Sequence, residues 1–395
     1  MLNDRIMKHL FGLSLLAAGL FVGVCLSGCH SSAKQEASPL QAGLDSLFTS
    51  LFPADEPGAA VLVARGDSIL YEGCFGQARL DTVMPITPHT MFNICSVSKQ
   101  FSAVALAMLA EQGLLSLDDP VKKYFPKFQA SFFNRITLRH LLSHTSGLPD
   151  ARPRTPEQWQ RYTAHNATQF KNVEDFKHYC EEEESCRFME QLDSLAFDPG
   201  SQYEYQNPTY QLALMIVEQV TGEKFDDWMR NHLFLPAGME ETTYFEPDKL
   251  IPRMAHGYER DEEGCWQECD YGEANFFGTK ADGGIYTTPR EFLRWNTAVY
   301  GGTLISDSLR QVLHTPRIAT DIPATDYGYG WFIEHRPDRP QKIYHTGDNG
   351  GFFIFEGGFP SLNLFYLVFA NRADWSREAV ADAVDSLLLS LCGRD

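Results

Sequence analysis

Apolar residues recur every three or four positions in several stretches of the chain, and this spacing predicts helices there. The first stretch, residues 40–52, places four leucines on one side: Leu40, Leu44, Leu47 and Leu51. A second begins at Ser96 and continues to Gly113, the residue type that most often ends a helix. Further helices are predicted over "TLRHLL", over "TYQLALMIVEQVTG" and over residues 376–391.

Stretches rich in aromatic and β-branched residues predict strands near both ends of the chain. Two of them, "AAVLVARG" and "SILYEGCFG", flank a turn at Gly66 and Asp67. Four more are "YGYGWFIEH", "QKIYHTG", "GGFFIFEGGFP" and "LNLFYLVFAN". The order predicts an α/β (α+β) fold, in which both chain ends build one antiparallel sheet flanked by helices. A mostly helical subdomain, about residues 115–280, is inserted between them.

The N-terminus has the pattern of a targeting segment. Three basic residues stand near its start: Arg5, Lys8 and His9. An apolar run over residues 10–26 follows, and small residues then lead into Cys29. This pattern resembles a bacterial lipoprotein signal, cleaved before Cys29, with a lipid on the Cys29 thiol. A transmembrane anchor is the alternative, but the run is short for a span.

These features divide the chain into a signal peptide (1–28), a polar tether (29–39) and a folded part (40–395). The expected location is the bacterial cell envelope, lipid-anchored, in the periplasm or at the outer membrane. The formal charge of −19 disfavours a nucleic acid partner, because an acidic surface repels phosphates. Glycine-rich phosphate-binding motifs are also absent from the sequence.

Neither the cysteines nor the histidines have the spacing of a metal site. Two cysteine pairs are close enough to form small disulfide loops, with free thiols as an equal alternative: Cys180 with Cys186, and Cys265 with Cys269. His140 and His144 are four residues apart, but the zinc-binding pattern requires Glu where Leu141 stands. Structural roles are therefore predicted for both histidines.

Ser96 and Lys99 form a Ser-x-x-Lys motif at a predicted helix start. The spacing alone carries little weight, because Ser31 and Lys34 share it in the tether. At a helix start, free N–H groups and the helix dipole favour negative charge, and Lys99 lies on the same face as Ser96. A charged lysine cannot be the base that a serine needs, but it can hold a second group as an anion. Cys95 is predicted to be a small buried side chain rather than a rival nucleophile.

Two later fragments can complete such a site. Tyr205 has a reference pKa of about 10, which a cation such as Lys99 lowers by favouring the phenolate. Asn207 offers an amide that can hold Lys99 and a substrate. The third fragment lies at a strand end and consists of His345, Thr346 and Gly347. A strand there can present backbone groups to an extended acyl chain, and the glycine allows the substrate to approach closely.

In this order, the three fragments resemble the motifs of the serine β-lactamase and penicillin-binding protein superfamily. The Tyr-x-Asn form is similar to the class C β-lactamase and DD-peptidase branch. "ITLRHLLSHTSGLPD" and "GGIYTTPREFLRW" also look typical of that family. The resemblance covers about residues 41–395 and implies a β-lactamase-like catalytic domain over residues 40–395.

The resemblance also implies roles. Ser96 attacks a carbonyl to form an acyl-enzyme, and Tyr205 with Lys99 moves the proton. The N–H groups of Ser96 and Asp348 form the oxyanion hole, while Asn207 and residues 345–348 contact the substrate. The implied function is a serine hydrolase acting on an amide or ester in a small-molecule or peptide substrate, with no metal or cofactor.

Two positions depart from the β-lactamases of that branch. They carry Lys where His345 stands, and a histidine is mostly neutral at pH 7, which disfavours efficient β-lactamase action. The Asp348 carboxylate would repel a substrate carboxylate by about 1–4 kcal/mol, which favours a neutral or cationic substrate; alternatively it turns away and caps the following glycines. A periplasmic DD-carboxypeptidase, a β-lactamase proper and a non-catalytic binding protein that keeps the fold are the other candidate functions.

Overall fold

The computed structural model describes residues 38–149, 181–245, 250–269 and 279–392. Within these ranges, no helix combines the length and the apolar character needed to cross a bilayer. The α-helices are α1 Pro39–Leu51, α2 Lys99–Glu111, α3 Val121–Tyr124, α4 Leu138–Leu142, α5 Glu181–Glu190, α6 Asn207–Thr221, α7 Phe225–Met229, α8 Pro289–Tyr300, α9 Asp307–Leu313 and α10 Arg377–Cys392. Short turns of 3₁₀ helix cover Cys95–Ser98, Ser131–Asn134 and Pro360–Leu362, and a π-helical turn covers Arg230–Phe234.

The strands are mostly short in the middle of the chain and long near its ends. They are β1 Ala59–Arg65, β2 Ser68–Phe75, β3 Gln77–Arg79, β4 Met84–Pro85, β5 Phe92–Asn93, β6 Thr243–Tyr244, β7 Tyr258–Arg260, β8 Trp266–Glu268, β9 Ile285–Thr287, β10 Ile318–Ala319, β11 Thr325–Tyr327, β12 Phe332–Glu334, β13 Lys342–Asn349, β14 Phe352–Phe359 and β15 Leu364–Ala370.

Eight strands form one antiparallel sheet in the order β10-β11-β12-β13-β14-β15-β1-β2. The early strand β1 lies between β2 and the late strand β15, with Ala59 opposite both Phe75 and Ala370. The prediction that both chain ends build one antiparallel sheet flanked by helices is therefore confirmed. Every residue of β15 is buried, because helices cover both faces of the sheet at its centre.

The two faces of the sheet have separate apolar cores. On one face α2 and α8 pack together, and the ring centroids of Phe101 and Trp295 are 3.8 Å apart. On the other face α1 and α10 supply the core through residues such as Leu44, Phe48 and Val384. Because side chains alternate along a strand, neighbouring residues of β13 and β14 reach different cores.

The stretch "YGYGWFIEH" is not one strand, as the sequence predicts, but two short strands, β11 and β12, joined by a turn. Gly330 in this turn has a φ of +85°, the left-handed region that interrupts an extended chain. A Cβ on Gly330 would lie 3.1 Å from the carbonyl oxygen of Lys99. The break therefore lets the turn pack against the start of α2.

Candidate active site

Ser96 lies in the 3₁₀ turn between β5 and α2. The preceding residue, Cys95, has a φ of +49°, and Asn93 Oδ1 accepts its backbone N–H at 2.6 Å. Left-handed backbone costs a non-glycine residue about 1–2 kcal/mol, and such strain clusters at functional sites. The Cys95 side chain is buried, and burial raises the pKa of its thiol well above the ordinary value. A protonated, buried thiol is a packing element, not a nucleophile.

Lys99 is fully buried at the start of α2. Its Nζ donates to three neutral oxygens: Ser96 Oγ at 3.0 Å, Asn207 Oδ1 at 2.7 Å and the Asp282 carbonyl at 3.0 Å. These acceptors suit the N–H groups of a protonated amine. Because Ser96 Oγ accepts from Lys99, the hydroxyl proton of Ser96 is directed toward a different acceptor.

Tyr205 lies beside the same amine, with its ring centroid 5.0 Å from Lys99 Nζ. It just precedes α6, and Asn207 begins that helix, so the end of one helix brings both residues to Lys99. His144 packs on the tyrosine with ring centroids 4.2 Å apart, and its Nδ1 accepts the backbone N–H of Gln206 at 3.1 Å. The fold thus brings serine, lysine and tyrosine together from distant parts of the chain.

His345 is buried in β13 and neutral. Its Nδ1 lies 2.7 Å from the Thr346 carbonyl oxygen, and its Nε2 lies 3.0 Å from the Tyr327 hydroxyl. Because a carbonyl only accepts, Nδ1 carries the proton and Nε2 accepts from Tyr327. Burial and the nearby cation of Lys99 lower the pKa of His345 to about 3. At this position the β-lactamases of the branch that the sequence resembles carry a lysine, whereas this protein has an uncharged ring.

Gly347 lies close to the turn that carries Ser96. A Cβ at this position would lie 2.4 Å from the Ile94 carbonyl oxygen and 2.9 Å from Cys95 Cβ. The glycine therefore allows β13 to pack against the turn that carries Ser96. The predicted close approach of a substrate stays a prediction. Its carbonyl oxygen accepts from Arg377 Nη1 at 2.9 Å.

Asp348 is exposed, but its charge is balanced. Its carboxylate lies 3.6 Å from the guanidinium of Arg377, which also stacks over Phe353 at 3.6 Å from the ring centroid. The expected repulsion of a substrate carboxylate is reduced accordingly, since an opposite charge lies beside the aspartate. The cation comes from the first turn of α10, a part of the chain that the motifs do not include.

The strand β13 changes its pairing beside the nucleophile turn. It pairs with β12 only over Lys342–Tyr344, whereas its pairing with β14 extends to Asn349. From His345 onward the β12 side of β13 is therefore a strand edge, which can present backbone N–H and C=O groups to an extended chain. Thr346 and Asp348 lie on this edge segment.

The remaining candidates fall outside the site. His140 Nδ1 accepts the backbone N–H of Thr137 at 3.1 Å and so caps α4. The described ranges contain no group of acidic, cysteine and histidine side chains that suits a metal. Cys265 and Cys269 are free thiols, so the disulfide alternative is wrong for this pair. They flank the extended strand β8, which holds them beyond the roughly 7 Å limit for a bridge.

The predicted partner Cys180 and the predicted lipidation site Cys29 lie outside the described residues. Three contributions were missed. Asp282 acts through its backbone carbonyl, which has no sequence signature. Arg377 lies 30 residues beyond Gly347 in the sequence and becomes a neighbour only through packing. His144 stands in "HTSGLPD", whose resemblance to the family was the available signal.

Comparison with known proteins agrees with this fold. The family profile described as Beta-lactamase matches residues 45–389. The chain therefore belongs to the beta-lactamase family, a serine hydrolase-type family that includes penicillin-binding proteins. The match spans almost all of the part of the chain that the structure describes.

Three relatives illustrate the likeness. Penicillin-binding protein 4* of Bacillus subtilis (strain 168) is 28% identical over 319 residues, which cover 78% of this chain and 67% of that protein. The D-alanyl-D-alanine-carboxypeptidase/endopeptidase AmpH of Escherichia coli (strain K12) is 25% identical over 85% of each chain. The crystal structure of a penicillin-binding protein from Bacillus halodurans superposes with a TM-score of 0.70 at 26% identity, covering 90% of this chain and 99% of the other. The chain spans only 59% of a further relative, protein flp of Staphylococcus aureus (strain MW2).

Proposed function

We propose that this protein is a serine hydrolase that forms an acyl-enzyme at Ser96 with an amide or ester substrate. One observation carries the proposal: the Ser96 hydroxyl lies 3.0 Å from the amine of the fully buried Lys99. A serine without an activating neighbour is a weak nucleophile at neutral pH. The Tyr205-x-Asn207 pair further supports placing the chain near the class C β-lactamase and DD-peptidase branch.

In the proposed mechanism, Ser96 Oγ attacks the substrate carbonyl while Tyr205 accepts its proton. Lys99 stabilises the phenolate, because an adjacent cation favours the anionic form of a phenol. The N–H groups of Ser96 and Asp348 hold the oxyanion. Tyr205 then returns the proton to the leaving amine or alcohol. In the second half, water gives a proton to Tyr205 and adds to the acyl carbon. The bond from the acyl carbon to Ser96 Oγ then breaks, Tyr205 returns the proton to that oxygen, and the acid leaves.

Covalent labelling tests this proposal. Wild-type protein should react with a fluorophosphonate and gain the mass of one label on the peptide containing Ser96, whereas Ser96→Ala should not react. Ser31→Ala is a matched control, because Ser31 has the same spacing to a lysine, and it should react like wild type. Wild-type protein that resists labelling and hydrolyses none of a panel of esters, amides and nitrocefin would instead support a non-catalytic binding protein.

A DD-carboxypeptidase is the second candidate, and the charge balance at Asp348 favours it. The predicted preference for neutral or cationic substrates rested on an uncompensated aspartate, but Arg377 lies 3.6 Å from that carboxylate. The Escherichia coli relative named above is a D-alanyl-D-alanine carboxypeptidase/endopeptidase. We therefore propose that a D-Ala-D-Ala peptide and its C-terminal amide are hydrolysed at similar rates. In Arg377→Gln, the free acid should become the poorer substrate, because Asp348 is then uncompensated. An unchanged ratio of the two rates would remove Asp348 from substrate selection.

We also propose that the mature chain is anchored by a lipid on Cys29 in the bacterial cell envelope. The support is the sequence alone: a basic start, an apolar run over residues 10–26 and a small-residue approach to Cys29. Metabolic labelling with a fatty-acid analogue should mark the wild type and not Cys29→Ala. Label that remains in Cys29→Ala would place the lipid elsewhere or exclude this anchor.

A further inference from the structure

Glu356 is a buried carboxyl group that the proposed mechanism does not use. It stands in the middle of β14, where it pairs with His345 of β13 and with Leu367 of β15, and only 4% of it is exposed. Cross-strand partners point to the same face of a sheet, so Glu356 and His345 share the face that packs against α2. The carboxyl group therefore lies in the seam between the sheet and the helix that carries Lys99.

A chain of hydrogen bonds fixes Glu356 to that helix. Its carboxyl oxygen accepts from the side-chain amide of Gln100, the residue that follows Lys99. The amide oxygen of Gln100 in turn accepts the indole N–H of Trp295 at 3.3 Å. Because an indole nitrogen only donates, the orientation of the Gln100 amide is settled. The backbone N–H of His345 also donates to Glu356.

The charged and titratable groups around Glu356 do not neutralise an anion there. Lys342 of β13 acts on it, but this lysine is held by Asp385 at 2.8 Å. Tyr300 of α8 faces it, and Arg310 of α9 lies over that tyrosine ring. His345 is neutral, as described above. Burial accordingly raises the pKa of Glu356 to about 8, so the group is mainly an uncharged acid at pH 7.

We propose that Glu356, in its neutral form, is a positioning residue that holds the His345–Asp348 segment of β13 against the start of α2, where Lys99 lies, and against the turn before it, which bears Ser96. Ionisation places an uncompensated charge in this seam and displaces the oxyanion edge from the nucleophile. The inference rests on the proposed function, because it assigns β13 a part in the reaction. Ionisation of Glu356 is therefore expected to reduce activity at alkaline pH.

The sign of the stability effect follows from the raised pKa. Below pH 4.5 the carboxyl group is protonated in both the folded and the unfolded chain, and Glu356 contributes its full stabilisation. Between pH 4.5 and about 8 the unfolded chain loses the proton and the folded chain keeps it, so stability falls as the pH rises. Glutamine at this position keeps the shape and removes the titration.

The test compares wild type with Glu356→Gln across the pH range. The rate of Ser96 acylation by a fluorophosphonate should fall about tenfold between pH 7 and pH 9 in the wild type, as the neutral fraction falls. In Glu356→Gln, the acylation rates at pH 7 and at pH 9 should be nearly equal. Glu334→Gln is the matched control. Glu334 lies on β12, which is separated from β14 by β13, and burial also raises its pKa. The charged groups that act on it are different ones: Lys342, Asp385, Arg336 and Arg339. This control should follow the wild-type profile.

A second measurement keeps the inference separate from the proposed function. Thermal unfolding in the Ser96→Ala background needs no activity, and the melting temperature should fall less between pH 5 and pH 9 in Glu356→Gln than in its parent. If acylation fails altogether but this difference appears, the proposed function is wrong and the buried acid is real. Identical pH profiles of acylation in wild type and Glu356→Gln would overturn the positioning role, whatever the melting temperatures show.

Discussion

Lys99 and Lys342 are both almost fully buried, yet their surroundings are opposite in charge. Lys99 donates to a hydroxyl, a side-chain amide and a backbone carbonyl, all of them neutral. Lys342 donates to the Asp385 carboxylate and to the Tyr366 hydroxyl, each at 2.8 Å. A buried cation that has a carboxylate partner is neutralised by it, whereas one held by neutral dipoles keeps its positive potential for a charge that forms later.

The tyrosines beside the two lysines make the same point. Tyr366 is buried next to Lys342, but the neighbouring Asp385 and burial raise the pKa of Tyr366 well above the ordinary value. Its phenol therefore stays protonated and serves as a hydrogen-bond donor to Asp385, at 2.8 Å. Tyr205 lies 5.0 Å from the amine of Lys99, which donates to three neutral oxygens. A lysine next to a tyrosine is thus insufficient for a base, and the anion that already pairs with the lysine decides the outcome.

Replacing Lys99 by methionine should give the largest effect on activity. Lys99→Met should slow acylation of Ser96 by about 10⁴-fold, the upper end for loss of a general acid–base function, because it removes the cation that holds the phenolate. In Lys342→Met, Ser96 should be acylated at close to the wild-type rate at temperatures below the melting temperature of the variant. Fluorophosphonate labelling rates, with folding checked by circular dichroism, measure both. Equal losses in the two folded variants would contradict the distinction between the lysines.

The paired tyrosines allow a second, smaller test. Tyr205→Phe should slow acylation by about 10²- to 10³-fold, since the phenol oxygen that accepts the proton is lost while the ring is kept. Tyr366→Phe removes a buried hydroxyl from Asp385 and should cost about 1–3 kcal/mol of unfolding free energy, with little change in rate. Acylation rates and urea denaturation separate the two outcomes. A Tyr205→Phe protein with wild-type kinetics would show that the proton goes elsewhere.

Replacing Lys342 should reduce the free energy of unfolding more than replacing Lys99 does, the reverse of their effects on activity. Lys342→Met removes one of two cations from the buried Asp385 and leaves Arg339 at 3.2 Å, so it should cost about 3 kcal/mol of unfolding free energy, the lower end for a broken buried pair. The double variant Lys342→Met/Asp385→Leu should recover most of this loss, because no lone charge remains. Lys99→Met removes the donor to three neutral oxygens, of Ser96, Asn207 and Asp282, and should cost less. Denaturant midpoints measure the series, and a double variant less stable than Lys342→Met would show that the pair contributes more than charge neutrality.

The sequence predicted the long strands of the eight-stranded sheet and missed the short strands of a separate three-stranded sheet, β5-β9-β6. β14 and β15 have eight and seven residues of largely aromatic and aliphatic sequence, so their propensities add to a clear signal. β5 and β6 have two residues each, too few for any periodicity, and they exist because β9 pairs with both. Tertiary pairing, not propensity, makes such strands.

The site divides in the same way. Ser96 and Lys99 meet within one helical turn, so their contact follows from local geometry. The carbonyl of Asp282 belongs to a backbone group that every residue has, and only the folded chain shows that it holds Lys99. The contact between Gly347 and the turn before Ser96 likewise depends on how β13 docks. Motifs identify the reactive side chains, while packing decides their charges and distances.

The smallest expected effect is on the pKa of His345. Burial is the main cause that lowers the pKa of His345 to about 3, and the charge of Lys99 is the second. His345 therefore takes up a proton at lower pH in the folded chain than in the unfolded chain. Stability is lost as the pH falls from 6.5 toward 3. Lys99→Met should raise the pKa of His345 and narrow this window. Lys342→Met should leave it unchanged, since Lys342 already faces Asp385.

Selective ¹⁵N labelling of histidine and a pH titration by NMR measure this pKa directly in the three proteins. The comparison is informative because it reports the charge state of Lys99 without requiring turnover. If the pKa of His345 rises only in Lys99→Met, the buried amine carries a proton in the native protein and its field reaches across the cleft. A His345 pKa that is the same in all three would mean that the Lys99 amine is neutral. The stabilisation of an anionic Tyr205 would then have to come from neutral dipoles alone, and Lys99 rather than Tyr205 would become the candidate base for Ser96.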